Sequence, residues 1–260
     1  MLIFDEKKYA QEIIDNRKYN TIKTQGRERC VLVRYLTSKG YNDDKIKSVL
    51  SAIPMSGGEY LSEKEKDVIY SKIINKANDF PFVTGIKVKI YRSEMDVICS
   101  VPNIYARNLL FVYLVYYKWA IQIDYLSFYS KKNDVMMAIE NNNDIWKIAG
   151  VSKLRVADRY LLCNILFTKG LYKIDNFKSH NYIYIPFASD DGEQVVEISN
   201  YDNILGELLL YLEPEQYKRC VVCGKVIKKT RSPKKYCINC AYKENIRKTK
   251  ENKRSLKTKS

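Results

Sequence analysis

Residues 144 to 175 read DIWKIAGVSKLRVADRYLLCNILFTKGLYKID, and their punctuation sets the fold expected of the chain. Asp144 is placed to cap a short helix whose Ile145, Ile148 and Ala149 face inward, and Gly150 ends it. Ser152 is placed to cap a second helix that runs to Lys169 and stops at Gly170. The pattern is helix, tight turn, helix. On the second helix Val156, Tyr160, Cys163 and Phe167 recur at helical spacing, and Leu154, Leu161 and Ile165 supply another apolar face, so burial on two sides is expected. Lys153, Arg155 and Arg159 remain as outward polar groups near the N-terminus of that helix. Asp158 stands three residues from Arg155, a spacing at which the two also pair with each other on a helix surface.

Downstream, LYKID, NFKSHN and YIYIPF read as two short strands around a polar loop, with Ile183 and Ile185 alternating against tyrosines. Lys178 in that loop is suited to touching a phosphate, whereas the single histidine, His180, is read as a solvent-facing loop residue without a chemical role. The IAGVS turn, Val156 five residues after Val151, and Gly170-Leu171-Tyr172 before the hairpin together resemble the winged helix-turn-helix of bacterial and phage regulators and replication proteins. That resemblance implies a second helix that approaches DNA with Ser152, Lys153, Arg155 and Arg159 near its leading end, and a hairpin wing carrying Lys178.

Upstream, RERCVLVRYLTSK (27–39) carries apolar Val31, Leu32, Tyr35 and Leu36 and is closed by Gly40. A second helix starts at the Asn42–Asp44 cluster, and a third begins with Ser62 and Glu65 in capping-box spacing. The trio is similar to the small helical domain that follows the catalytic core of some bifunctional phage and plasmid primases; no catalytic primase residues precede it, so the likeness implies a helical module alone. Residues 80–129 contain a short strand (VKIY), a helix capped by Ser93 and an apolar helix from Asn103 to Ala120. Tyr113, Tyr116, Tyr117 and Trp119 on that apolar helix read as interior rather than as base-stacking groups. Its membrane-like stretch, LLFVYLVYYKWAIQIDYL, keeps only nine residues before Lys118, short of the ~20 that a membrane span needs. QVVEIS reads as one more strand, NILGELLLYLEPEQY as a helix ending near Pro214, which marks a linker, and SGGE (56–59) as a turn.

Charge is distributed unevenly. Between Lys218 and Ser260 sixteen Lys and Arg stand against two acids, a balance of +14, which leaves +1 for all the rest of a chain whose total is +15. Compositional drift would spread basic residues along the whole length, so the segregation points to a polyanionic partner. The same segment carries Cys220/Cys223 and Cys237/Cys240, two CxxC pairs separated by thirteen residues, a donor set and spacing suited to tetrahedral Zn²⁺. Four thiolates leave no open position for substrate, so the zinc expected here is a single structural one. Gly224 permits a tight knuckle, and the intervening VIKKTRSPKKY reads as a short hairpin bent at Ser232 and Pro233. Lys228, Lys229, Arg231, Lys234 and Lys235 lie in that span, and Lys243, Arg247, Lys250, Arg254 and Lys257 follow at increments of four and three, which places those five on one side of a helix. The order of knuckle, hairpin and second CxxC opening a helix resembles treble-clef zinc fingers. Cys30, Cys99 and Cys163 sit in apolar company as small hydrophobes, and Met1–Tyr9 carries acids and lysines where a secretory signal needs apolar residues; a reducing, cytoplasmic setting is expected.

The expected fold is mainly α (α+β): a helical domain over 1–129, a winged helix-turn-helix over 130–213, and a four-cysteine zinc finger with a basic helix or tail over 214–260. No catalytic motif is present among GxSxG, HExxH, Walker or paired-carboxylate patterns, and no enzymatic role is expected. The function expected is that of a DNA-binding regulator or replication accessory protein of phage or mobile-element type. The alternatives are an RNA-binding or ribosome-associated protein and a protein-interaction scaffold. Nucleic acid is the partner, DNA ahead of RNA, with no membrane role; a homodimer or a transcription or replication protein are further candidate partners.

Overall fold

The computed structural model describes residues 3–19, 25–53, 61–123, 128–131, 134–139, 142–177, 180–230 and 234–257. In chain order the elements are α1 (Glu6–Asn16), α2 (Gln25–Ser38), α3 (Asp43–Ser51), α4 (Glu63–Asn78), β1 (Val88–Tyr91), α5 (Arg92–Cys99), α6 (Ile104–Ile123), β2 (Phe128–Lys131) and β3 (Asp134–Ile139). They continue with α7 (Asn142–Ile148), α8 (Val156–Thr168), β4 (Lys173–Phe177), β5 (His180–Tyr184), β6 (Gln194–Ile198), a 3-10 turn (Tyr201–Asn203), α9 (Ile204–Leu212), β7 (Tyr217–Arg219), β8 (Val226–Lys228) and α10 (Ile238–Lys257). The protein is mainly helical, as its composition predicts. It forms two compact units: Met1–Lys87, Tyr116–Asp144 and Tyr172–Tyr184 make the first, and Val88–Val115, Ile145–Leu171 and Ile185–Ser260 make the second.

In the first unit the helix boundaries follow the caps written in the sequence. The Asn42 side chain accepts from Lys45 N at the start of α3, and Ser62 and Glu65 form the reciprocal capping box of α4. Gly40 closes α2. The apolar faces of these helices meet in a core that includes Ile13, Leu32, Leu36, Ile46, Tyr70 and Ile74. A buried ion pair joins α1 to α2: the Arg34 guanidinium donates to both carboxylate oxygens of Glu6, and both side chains are 3% exposed. Glu6 also accepts from Val83 N (3.2 Å) and donates its own backbone N–H to Val83 O (2.9 Å), so one residue fixes two joints. The expected hairpin forms as β4–β5, with Ile174 opposite Ile183. β2 and β3, which were not expected from the sequence, extend it to an antiparallel sheet of order β2-β3-β5-β4. The SGGE turn lies outside the described residues.

In the second unit β1 and β6 pair antiparallel, so both short strands expected from VKIY and QVVEIS are present. α5 starts earlier than expected: its N-cap is Tyr91, not Ser93, because the fully buried Glu94 accepts from Tyr91 N (2.7 Å) and also from Ser189 N (2.8 Å). α6, whose residues from Tyr116 onward belong to the first unit, is capped by Asn103, whose side-chain oxygen accepts from Tyr105 N and Ala106 N, and its aromatics Tyr113, Tyr116, Tyr117 and Trp119 are interior, as expected. Among the described residues no helix is long and apolar enough to cross a membrane.

Replacing Glu6 by Ala removes the carboxylate from this buried pair, which is expected to cost about 3–5 kcal/mol, the usual penalty for half of a buried pair. The check is urea unfolding followed by circular dichroism; an unchanged midpoint would show that the pair carries no stability.

Candidate metal centre and its basic surround

From Ile145 to Leu171 the helix-turn-helix stretch lies in the second unit. α7 begins at Asn142, so Asp144 sits within its first turn rather than capping it. Gly150 ends α7 with φ +72°, Gly150 N donating to Lys147 O and Val151 N to Trp146 O. Gly170 ends α8 in the same way at φ +67°, with Gly170 N donating to Phe167 O and Leu171 N to Leu166 O. Ser152 does not cap α8. Its backbone N–H is taken by Trp146 O, Leu154 N closes a further turn onto Val151 O, and α8 starts at Val156 with Arg155 as the N-cap residue. The two-sided burial expected of α8 is also corrected: Leu162 and Leu166 are its buried residues, whereas Val156, Tyr160, Leu161 and Phe167 are exposed. A helix that is apolar all round offers no periodicity by which to choose its inward face.

These shifts change the standing of the residues read as outward cations. Ser152 and Lys153 are exposed, but in the turn before the helix. Arg155 pairs with Asp158 at 2.9 and 3.2 Å, and that hydrogen bonding holds the Asp158 carboxyl below its usual range. Arg159 is not outward: its guanidinium lies 4.5 Å from the centre of the Trp146 ring, and its Nε is buried without a hydrogen-bond partner. Lys178 lies outside the described residues.

The four paired cysteines converge. Cys220 to Cys223 form a knuckle between β7 and β8, with Cys220 N donating to Lys225 O (2.8 Å) and Gly224 N to Cys220 O (3.0 Å) at a Gly224 φ of +69°. A hairpin therefore flanks the first CxxC, pairing Tyr217–Arg219 with Val226–Lys228, the knuckle itself supplying the reversal; the bend expected at Ser232 and Pro233 lies outside the described residues. Val221 N donates to Lys235 O, which brings the chain back beside the knuckle, and α10 then opens so that Cys237 immediately precedes it and Cys240 occupies its first turn.

All four Sγ atoms lie within 4.8 Å of one another, and those of Cys223 and Cys237 are 3.7 Å apart. Tetrahedral thiolate coordination at a metal–sulfur distance of about 2.3 Å requires sulfurs roughly 3.8 Å apart, so the cluster fits one thiophilic ion. All seven cysteines are free of disulfides. Backbone donors point at the sulfurs, Cys237 N at Cys220 Sγ (3.3 Å) and Cys240 N at Cys237 Sγ (3.5 Å). Burial pushes up on the Cys220 thiol, but the N–H groups of Cys223, Cys237 and Val222 outweigh it and bring it down to about 6. Cys237 is drawn down by the Cys240 N–H against burial. Cys240 is pushed up to about 12, chiefly by its hydrogen bonds with the Cys223 and Cys237 sulfurs. Backbone N–H donors thus favour the thiolate at Cys220 and Cys237, while the neighbouring sulfurs favour the thiol at Cys240; a cation at the centre of the cluster favours the thiolate at all four.

The module is seated on α9. Arg219, next to Cys220, forms a two-pronged ion pair with Glu207 (2.7 Å for each bond), and Glu207 is 5% exposed. Asn203 donates to Val226 O (3.3 Å), while Lys229 donates its backbone N–H to Gln216 O and its ammonium to Pro214 O. Lys229 is thus a structural contact. No sequence signal singled out Glu207 and Arg219, because a charged pair twelve residues apart has no local signature. Lys228, Lys234, Lys235, Lys243 and Lys250 are exposed and enter no ion pair among the described residues. Lys225 and Lys248, absent from the set expected to touch nucleic acid, are exposed as well. Arg247 is held by Glu244 (2.6 Å) and Glu251 (2.6 Å), so its charge is locally balanced. Arg254 and Lys257 fall on the α10 backbone with side chains outside the described residues, and Arg231 lies outside them altogether.

Comparison with protein-family models, curated proteins and solved structures gives no match.

Protein purified under reducing conditions is expected to hold one thiophilic ion per chain, measured by atomic emission, and Cys223→Ser to lose most of it. The pH dependence follows from the sulfurs. The Cys220 thiol, lowered by the surrounding N–H groups, binds its proton only as pH falls through about 6, and an ion competing for the same sulfur moves that step lower still; apparent affinity for the ion should therefore weaken steadily as pH falls. An affinity independent of pH in a competitive chelator titration would contradict thiolate ligation.

Proposed function

We propose that the protein binds nucleic acid, DNA in preference to RNA, through a C-terminal module in which one structural zinc ion is held by Cys220, Cys223, Cys237 and Cys240. The observation that carries this reading is the concentration of cationic side chains around the cysteine cluster: a +14 balance between Lys218 and Ser260, with Lys228, Lys234, Lys235, Lys243 and Lys250 exposed and unpaired among the described residues. Four cysteine donors fill a tetrahedron, so the metal serves folding, and a segment this short buries too little apolar surface to fold without it. The α7–turn–α8 stretch supplies a second contact on duplex DNA, with Lys153 and Ser152 in the turn and Arg155 and Arg159 behind them. This is the role of a regulator or replication accessory protein that the likeness to winged helix-turn-helix proteins of phages and mobile elements implies.

One specific observation favours a different use of α8. Val156, Tyr160, Leu161 and Phe167 are each at least 50% exposed, which suits a protein-docking face better than a groove-reading one. Pull-down with and without nuclease separates the two uses, since a partner docked on α8 survives nuclease.

If the module neutralises about six phosphates, log affinity for duplex DNA falls against log salt with a slope on the order of −5, and truncation after Tyr217 flattens that slope for every sequence. Lys153→Ala and Arg155→Ala should instead relax sequence preference by about 1–3 kcal/mol at a matched base. Equal loss for every sequence would exclude base reading by those residues, and a structured RNA that outcompetes duplex DNA at matched salt would transfer the reading to RNA.

A further inference from the structure

We infer that α10 carries a base-stacking platform centred on Tyr242, so that the cysteine module, besides gripping phosphates of either form, holds nucleic acid with unpaired bases through those bases. The inference rests on the nucleic-acid reading above and names the ligand class of that same module.

Ile238, Tyr242 and Ile246 recur every four residues along α10 and share one face, with exposures of 77, 67 and 38%. A helix whose whole task is to line up ammonium groups along phosphates gains nothing from an uncovered aromatic and two uncovered isoleucines, and exposing them costs hydration free energy. Tyr242, Asn245, Ile246, Thr249 and Lys250 line a shallow depression on the same helix. Its parts match an unpaired nucleotide one for one. The tyrosine ring and Ile246 offer a flat apolar surface to a base; the Asn245 amide offers both a donor and an acceptor to a base edge; Lys250 and the neighbouring Lys243 offer cations to the phosphates on either side. The Thr249 hydroxyl donates to Asn245 O (2.9 Å), which leaves its oxygen free as an acceptor. In a duplex the π faces of the bases are covered by their neighbours, so stacking on a protein ring is open only to unpaired bases.

Charge argues against the obvious rival occupant, a second copy of the same helix. The face is flanked by Lys243 and Lys250, and Arg247 already has Glu244 and Glu251, so two copies would bring unbalanced cations together. The balanced Arg247 cluster instead ties successive turns of the helix across exposed side chains, which keeps the platform straight.

The test uses the full-length, metal-loaded chain, a fluorescent oligothymidylate of about 20 nucleotides, a duplex of equal phosphate count, and an abasic strand of the same length. Tyr242 is exposed, so Tyr242→Ala and Tyr242→Phe should retain wild-type metal content and unfolding midpoints. The expected result is that Tyr242→Ala weakens binding to oligothymidylate by roughly tenfold or more, that Tyr242→Phe does not, and that neither changes binding to the duplex or to the abasic strand by more than about twofold. Equal losses on all three ligands, or no loss on any, would overturn the platform while leaving the phosphate grip intact. Failure of the wild-type chain to bind any of the three would sink the nucleic-acid reading itself. Tyr242-dependent capture of polyglutamate with no binding to the oligonucleotides would assign the face to an acidic protein and likewise overturn the inference.

Discussion

Four sulfur atoms held within 4.8 Å of one another impose the constraint around which the C-terminal part of the chain is arranged. Ionising all of them in so small a volume requires a cation, and the sulfurs arrive from three local structures: a knuckle for Cys220 and Cys223, the residue before a helix for Cys237, the first turn of that helix for Cys240. The direction of α10 is therefore tied to the convergence of the four sulfurs as much as to helix propensity, and its cations and its apolar face inherit that direction.

Elsewhere the same device recurs with carboxylates in place of thiolates. Glu6, Glu94 and Glu207 are each nearly inaccessible, and each ties together segments remote in sequence: Glu6 with Arg34 and Val83, Glu94 with Tyr91 and Ser189, Glu207 with Arg219. A buried carboxylate with two or three donors is a demanding joint, since any one donor lost leaves charge stranded in a poorly polarisable setting. Such joints fix the pairing of segments more sharply than apolar contact, which tolerates sliding.

What was legible in the sequence was mostly local. The capping box at Ser62, the cap at Asn42, the closures at Gly40, Gly150 and Gly170, and the metal-type spacing of the cysteines all follow from interactions spanning fewer than about six residues or from a fixed ligand grammar. What escaped was set by competition or by distance. Ser152 looked like a cap, but its N–H was already claimed by the closure of α7. α8 was apolar on every side, so its pattern could not say that Leu162 and Leu166 face inward while Tyr160 and Phe167 do not. Strand β3 gains its partner β5 from well beyond the two intervening helices, and the pairing of Arg219 with Glu207 has no echo in spacing at all.

The Glu207–Arg219 pair gives the cysteine cluster a reach beyond its own ligands. Arg219 is the residue immediately before Cys220, so whatever loosens the knuckle also withdraws the counter-charge from a carboxylate that is 5% exposed on α9. With an ion at the cluster, its occupancy and the integrity of α9 would be linked free energies, and by reciprocity a change that disturbs α9 would be felt as weaker affinity for the ion. Loss of such an ion would then be felt at a helix that supplies none of the four sulfurs.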